Sequence, residues 1–345
     1  MPTDRPTSRY SRQERFAPIG ELGQARLANS RALICGCGAL GSLIAERLVR
    51  AGVGSIRLVD RDWVELSNLQ RQTLFTEQDA RSAQPKSIAA REALHEINST
   101  LNIEAFVEDV TYENIASLAR GCDLILDGTD NFETRFLIND YCVKHAVPWI
   151  HGGCLGASGQ VLSILPGSTA CFRCLVPELP PREAMDTCDS AGVLGPAVGL
   201  IACWQSAEAI KVLSGNLEAV CRELIVVDCW NTDVRLVKLR RQTNCSTCAL
   251  QSFPFLNGEI RTESVILCGK NAVQLQMPGI PESGSELSGL ADRLRSFGSV
   301  QENAFFVRLS YGDFVVTVFR GGRTVVEGTT SPAEAKSLLA RTLGA

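Results

Sequence analysis

Gly36, Gly38 and Gly41 stand between a short apolar run, Arg31–Cys35, and a stretch of helical spacing, Leu40–Arg50; a second apolar run, Ser55–Asp60, follows. Strand, glycine turn, helix, strand is one βαβ unit, and no other stretch of the chain restricts the fold as strongly. Glycine permits the tight turn and lets a phosphate approach the backbone, while the helix N-terminus offers free N–H groups. Asp60 closes the second strand, where a carboxylate can accept hydrogen bonds from ribose hydroxyls. Without its context the motif is only a tight turn. With it, nucleotide binding is the reading, and the motif does not separate NAD from ATP.

The alternation continues beyond this unit. Pro85–Asn98 and Phe132–His145 have helical spacing, a helix is expected near Glu113–Leu118, and Leu101–Val107, Asp123–Asp127 and Val147–Ile150 read as strands. The expected fold is α/β, a doubly wound, Rossmann-like, mostly parallel sheet. After Gly153 the texture changes. Gly159–Leu165 alternates with period two, Leu175–Gly192 reads as a long crossing loop, Val193–Leu213 as an apolar helix, and Leu224–Asp228 and Val234–Leu239 as two strands of an antiparallel extension.

A composition break near Ser252–Gly258 divides the chain into an expected larger domain at 1–252 and a small α+β block at 253–345. In that block Ala304–Leu309, Phe314–Phe319 and Thr324–Glu327 read as strands, with a tight hairpin at Gly321-Gly322. Pro281–Leu290 reads as a Ser/Gly-rich loop leading into a helix that ends near Phe297. Ser331 and Glu334 form a capping-box start for the last helix.

Composition excludes several classes. With 45% apolar and 21% charged residues the chain is globular rather than disordered. Its net charge of −4 lacks the basic surplus of a nucleic-acid binder. The N-terminus carries no secretory pattern, and the longest nearly apolar run, Gly192–Trp204, falls short of the roughly 20 residues a membrane span needs. A cytoplasmic protein is expected, with no nucleic-acid or membrane partner. Its 14 cysteines would then be metal ligands, nucleophiles or core rather than disulfides.

Behind the glycine turn lies a cationic segment, Ser67-Asn68-Leu69-Gln70-Arg71-Gln72, and Lys86 opens the next helix. NAD leaves such cations poorly explained; a reacting triphosphate would use them, although both could be solvated surface charges. Asp127-Gly128-Thr129-Asp130-Asn131 ends a strand, where open α/β sheets bind ligands. A carboxylate there can hold Mg2+, or Asp130 can simply cap the following helix.

Cys171-Phe172-Arg173-Cys174 and Cys245-Ser246-Thr247-Cys248 are two CxxC pairs. Four thiolates from two knuckles make a closed tetrahedral zinc site, read as structural because no ligand position is left for water. A redox role for one pair leaves the other unexplained. Cys188 lies in a polar loop flanked by Asp186 and Asp189, and is either a nucleophile or a plain loop cysteine. Most of the other cysteines, such as Cys35 and Cys142, read as core. His95, His145 and His151 do not cluster in the sequence and read as structural.

Taken in order, Arg9-Tyr10-Ser11-Arg12-Gln13, GCGALGS, LVDRDWVELSNLQRQ, Pro85-Lys86, DGTDNFETR, the CxxC pairs and the Cys188 loop resemble the ThiF/MoeB/HesA adenylyltransferases, relatives of the ubiquitin-activating enzymes. The resemblance runs from about Arg9 to Cys248. The C-terminal block is similar to the appendage of longer bacterial ThiF-type proteins, and it lacks the cysteine-centred loop of a rhodanese domain.

The resemblance implies ATP-dependent adenylation of the C-terminal Gly-Gly carboxylate of a small β-grasp sulfur carrier of ThiS or MoaD type, for thiamin, molybdopterin or a related thio-cofactor. It implies ATP and Mg2+ as cofactors, structural Zn2+ on Cys171, Cys174, Cys245 and Cys248, and a cysteine desulfurase or rhodanese as sulfur donor. Carried over by position, Gly36, Gly38, Ala39 and Gly41 line the nucleotide. Asp60 holds the ribose. Asn68, Arg71 and Lys86 bind the triphosphate, Ser67, Leu69 and Gln70 belong to the nucleotide-binding set, Asp130 holds Mg2+, and Asn131 lies beside the nucleotide. Arg12 would reach into the site of a second subunit, which requires a homodimer, and Cys188 is a candidate acyl acceptor. Ala39 departs from the glycine that many members carry. Ubiquitin-like activation for conjugation, an NAD-dependent dehydrogenase and a zinc-stapled scaffold without chemistry are the competing readings. The dehydrogenase explains neither Arg71 and Lys86 nor the four cysteines.

Overall fold

The computed structural model describes residues 8–181, 191–260, 265–267, 271–277 and 284–343; Cys188 and Cys268 lie outside them. The chain divides into two compact units, Met1–Ile260 and Arg261–Ala345.

In the first unit eight strands form one sheet: β1 (Arg31–Cys35), β2 (Ser55–Val59), β3 (Asn102–Phe106), β4 (Leu124–Asp127), β5 (Trp149–Leu155), β6 (Ser158–Ile164), β7 (Leu224–Asp228) and β8 (Asp233–Val237). Their order is β3-β2-β1-β4-β5-β6-β7-β8. The five strands from β3 to β5 run parallel, and β6, β7 and β8 continue antiparallel. The mostly parallel α/β sheet with an antiparallel extension is therefore the observed fold.

β1 lies mid-sheet and reads as an unbroken apolar run because both of its faces are covered. Ala32 and Ile34 face a core shared with the helices Ala39–Ala51, Lys86–Ile97 and Gly195–Leu213. Leu33 and Cys35 face a second core shared with the helices Ile115–Leu118 and Phe132–His145 and with the CxxC pairs. The helix Ala39–Ala51 buries Leu40, Leu43, Ile44 and Leu48 at helical spacing and stops at Gly52, whose φ of 84° returns its N–H to the Leu48 and Val49 carbonyls.

Two helices that periodicity does not announce, Ser11–Glu14 and Gly20–Asn29, precede the sheet. Residues 253–260 pack within this unit: Phe255 stacks on Phe136 with ring centroids 5.0 Å apart. Of the cysteines read as core, Cys35, Cys37, Cys122 and Cys142 are buried, whereas Cys203 is exposed on the helix Gly195–Leu213.

The second unit is an antiparallel sheet of β9 (Val265–Leu267), β10 (Ala272–Gln276), β11 (Ser299–Glu302), β12 (Phe306–Tyr311), β13 (Phe314–Phe319) and β14 (Arg323–Glu327), in the order β11-β12-β13-β14-β10-β9. β10 and β11 are too polar for their alternation to stand out in the sequence. The helix Gly284–Leu294 begins inside the stretch read as a loop. Burial of Leu287, Leu290, Ala291 and Leu294 at i, i+3, i+4 and i+7 overrides the poor propensity of its Ser and Gly residues. At the helix Pro332–Leu343 one half of the capping box forms, Glu334 N donating to Ser331 Oγ at 3.3 Å. The Glu334 side chain instead accepts from Thr329 Oγ1.

Candidate nucleotide site and cysteine cluster

β1 and β4 are neighbours, although β2 and β3 come between them in the sequence. The chain therefore leaves these two strands in opposite directions, and their C-terminal ends open a crevice at the switch point. The loop after β1 carries Gly36 and Gly38, and Gly41 lies in the first turn of the helix that follows. The loop after β4 carries Asp127 to Asn131.

The two loops touch. A Cβ on Gly36 would lie 2.7 Å from the Gly128 carbonyl oxygen, and one on Gly41 would lie 1.8 Å from the Gly36 oxygen. Gly36 also has a φ of 87°, which only glycine adopts without strain. Gly38 differs. It is the N-cap of the helix Ala39–Ala51, and a Cβ there would meet only Gln72 Nε2, at 3.9 Å. Gly41 is thus needed for packing, while Gly38 leaves backbone open on the side where a phosphate would lie. Ala39 is the first residue of the helix.

Asp60 binds the glycine loop directly. Its Oδ2 accepts from Cys37 N at 2.6 Å and its Oδ1 from Asp62 N at 2.7 Å. Burial raises its carboxyl above the ordinary range, against the opposing pull of Lys86. Lys86 Nζ lies 3.4 Å from Asp62 Oδ2. Burial disfavours the Lys86 charge, but Asp62, Asp60, Asp130 and Glu65 outweigh it and hold the ammonium above its usual value. Lys86 is 7% exposed, so this charge lies largely buried beside Asp62. Arg61 pairs with Asp109 at 2.8 Å and feels the charge of Asp130 as well. Arg61 and Asp62 were not singled out from sequence; their position beside Asp60 was the available signal.

The Ser67–Gln72 segment lies alongside. Asn68 is buried and its Oδ1 accepts from Glu65 N at 3.1 Å, while Ser67 and Gln70 are exposed and Leu69 is half-buried. Arg71 is half-buried, with Nη1 donating to the Ser67 carbonyl at 3.0 Å. Gln72 stands nearest Gly38, and Gly195 at the start of the helix Gly195–Leu213 faces Gln70 and Arg71.

Asn131, not Asp130, caps the helix Phe132–His145: its Oδ1 accepts from Thr134 N at 2.8 Å. Asp130 is exposed at the crevice, its carboxylate not needed by the helix. An exposed oxygen ligand there fits a hard cation such as Mg2+.

Beneath this loop lies a cluster that sequence reasoning missed. Asp127 Oδ2 accepts from His151 Nδ1 at 2.7 Å and from Arg135 Nε at 3.1 Å, and its Oδ1 accepts from Thr129 N and Oγ1. Burial alone would raise the Asp127 carboxyl, but Arg135, His151 and Thr129 hold it below the usual range. Burial pulls the His151 imidazole below its usual value, more than Asp127 raises it. Arg135 Nη2 also donates to the Thr129 carbonyl at 2.5 Å, which fixes the loop from below.

The four cysteines of the two pairs meet. Cys171 Sγ lies 3.9 Å from Cys174 Sγ and 3.6 Å from Cys245 Sγ, and Cys174 Sγ lies 3.6 Å from Cys248 Sγ; all four sulfurs fall within 4.8 Å of one another. A tetrahedral ion with Zn–S bonds of about 2.3 Å needs sulfurs about 3.8 Å apart, so this set fits zinc. Burial and the neighbouring cysteines push the Cys171 thiol well up, a crowding that a dication would relieve.

Arg12 stands on the short helix Ser11–Glu14 and is exposed. Its neighbours are anchored. Tyr10 Oη accepts from Asn98 Nδ2 at 2.8 Å, and Gln13 Nε2 donates to the Ala51 carbonyl at 2.9 Å. Cys188 lies outside the described residues. Among the described residues, no helix is long and apolar enough to cross a membrane.

The ThiF family profile matches residues 10–247. The chain is 43% identical to the sulfur carrier protein ThiS adenylyltransferase of Bacillus subtilis (strain 168) over 343 residues, covering 98% of this chain and 100% of that protein. It is 38% identical to the adenylyltransferase and sulfurtransferase MOCS3 of Drosophila willistoni over 79% of this chain, and spans 59% of that longer protein. Among solved structures, E. coli MccB with ATP superposes with a TM-score of 0.61 at 22% identity, over 70% of this chain and 75% of that one, a likeness of fold alone.

Proposed function

The chain belongs to the ThiF family, and from that premise we propose that it is an ATP-dependent adenylyltransferase acting on a small β-grasp sulfur-carrier protein of the ThiS or MoaD type. The carrier's C-terminal Gly-Gly carboxylate attacks the α-phosphorus of ATP. A carboxylate oxygen–phosphorus bond forms, the bond to the β-phosphate oxygen breaks, and pyrophosphate leaves an acyl-adenylate.

The observation that carries this reading is the contact of the Gly36–Gly41 turn with the Gly128 loop, with Lys86 charged beside Asp60, Asp62 and Asp130. With the open backbone at Gly38 and the helix N-terminus at Ala39, it supports a site for a phosphate-bearing ligand. Gly38 and the first turn of the helix at Ala39 receive phosphate oxygens. Asp60, held against Cys37 N, takes the ribose side. Asn68, Arg71 and Lys86 neutralise the charge that builds on the leaving pyrophosphate. Asp130, with Asn131 beside it, would hold Mg2+; the cation would supply charge neutralisation at the phosphate oxygens.

Arg12 serves as a cation reaching the site of a second copy, so the active form is a homodimer. Zn2+ on Cys171, Cys174, Cys245 and Cys248 is structural. The adenylation chemistry belongs to residues 1–252. Cys188 is the candidate acyl acceptor when a desulfurase or rhodanese delivers sulfur. The likeness to a ThiS adenylyltransferase supports a role in thiamin or molybdopterin biosynthesis, and the cytoplasm is the compartment this chemistry implies. Carrier-dependent ATP–pyrophosphate exchange tests the reading.

A further inference from the structure

The helix Phe132–His145 starts at the nucleotide loop and runs to the cysteine cluster. Its first turns hold the loop: Asn131 caps it, and Arg135 bonds both Asp127 and the Thr129 carbonyl. Two adjacent, wholly buried residues further along hold the two knuckles. Asn139 Oδ1 accepts from the backbone N–H of Phe172, inside the first CxxC pair, at 2.9 Å. Asp140 Oδ1 accepts from the hydroxyl of Thr247, inside the second pair, at 3.1 Å, and its Oδ2 accepts from Phe255 N at 3.0 Å.

Aromatic packing closes the same joint. Phe136 stacks on Phe255 and meets Phe172 edge-on at 5.4 Å. The Arg173 guanidinium lies 5.0 Å from the Phe136 ring and donates to Ser246 Oγ at 2.8 Å, which links one knuckle to the other.

We infer that this helix couples the cysteine cluster to the nucleotide site, with Asn139 and Asp140 as the positioning residues. The distance from Asn131 to Asp140 along the helix is about 13 Å, short enough for it to act as one rigid piece. When the four thiolates are drawn together by a metal ion, Phe172 N and the Thr247 hydroxyl are fixed. Asn139 and Asp140 are then fixed, and with them the register of Arg135 and Asn131 under Asp130. When the knuckles separate, Asp140 loses the Thr247 hydroxyl, and a buried oxygen left without its donor costs free energy. The helix shifts and the loop loosens. Coupling of two binding equilibria is reciprocal, so a bound nucleotide must also retain the metal. The inference rests on nucleotide binding at the Asp130 loop and requires no carrier.

The test follows zinc transfer from the purified zinc-loaded protein to a chromophoric chelator, with and without saturating Mg2+ and the non-hydrolysable analogue α,β-methylene-ATP. The Asp140–Thr247 hydrogen bond is one of the links between helix and knuckles, and on the scale of one such bond the nucleotide is expected to slow zinc release by about 3–10-fold in the unaltered chain. Thr247→Val, which removes the hydroxyl without changing shape, should retain zinc on purification but show reduced protection and bind the analogue more weakly. Thr247→Ser should restore both. Equal release rates in the unaltered protein, with the analogue shown to be bound, would overturn the inference, as would full protection in Thr247→Val. Protection without any carrier-dependent exchange leaves this coupling standing and removes the proposed reaction. Exchange without protection does the reverse.

Discussion

The carboxylate of Asp127 and the imidazole of His151 meet at 2.7 Å with neither side chain exposed, directly below the loop that carries Asp130. Both groups have their folded-state values lowered, the imidazole by burial and the carboxyl by Arg135, His151 and Thr129 against burial. A group lowered on folding binds its proton more readily in the unfolded chain. His151 therefore contributes stability that is present above the ordinary imidazole value of about 6.5 and is lost as pH falls through its folded value.

From this, His151→Gln should flatten the dependence of melting temperature on pH just below pH 6.5, where the unaltered chain loses stability with acid. The check is melting curves of both proteins across that range. Parallel curves would show that His151 does not titrate with folding.

Gly38 and Gly41 should separate packing from ligand approach. Gly41→Ala forces a Cβ to within 1.8 Å of the Gly36 oxygen; a shift of that backbone should cost on the order of 1–3 kcal/mol. Gly38→Ala meets only Gln72 at 3.9 Å, so its melting temperature should stay near that of the unaltered chain while nucleotide affinity falls. Thermal melts and titration with an ATP analogue distinguish the two. A Gly38→Ala protein that binds nucleotide normally would move the phosphate site elsewhere.

Asp130→Ala removes a carboxylate that the helix cap does not use, because Asn131 supplies that cap. Exchange should drop by on the order of 10²-fold or more, with the circular dichroism spectrum unchanged. Undiminished exchange would strip Asp130 of its assigned role.

Cys171→Ser breaks a set whose sulfurs are spaced for tetrahedral zinc. Metal content should fall well below one ion per chain and the melting temperature should fall with it, since metal binding and folding are linked. Zinc content measured by atomic absorption decides; an unchanged value would refute the four-cysteine site.

What was legible in the sequence was local. The Gly36–Gly41 turn announces itself because strand, turn and helix adjoin in the chain, and the CxxC pairs because ligands from one knuckle must be close in sequence. What was not legible depends on contacts across strands. Asp127 stands out as the acid that closes an apolar strand, but its pairing with His151 on the neighbouring strand β5 and with Arg135 does not show in the sequence. Asn139 and Asp140 sit within a helix whose surroundings decide that they are buried. The choice of Asn131 over Asp130 as cap turns on the helix starting at Phe132, because both residue types cap well. The helix Gly284–Leu294 was hidden by Ser and Gly residues whose low propensity the core overrides.

The most direct test of the central claim is ATP–pyrophosphate exchange with purified ThiS-type and MoaD-type carriers, beside a carrier truncated before its Gly-Gly end and a no-carrier control. Exchange that requires an intact carrier terminus is the predicted result, and the carrier supporting it identifies the pathway. ATP binding with a full zinc complement, but no exchange with any Gly-Gly-ended carrier, would contradict the account.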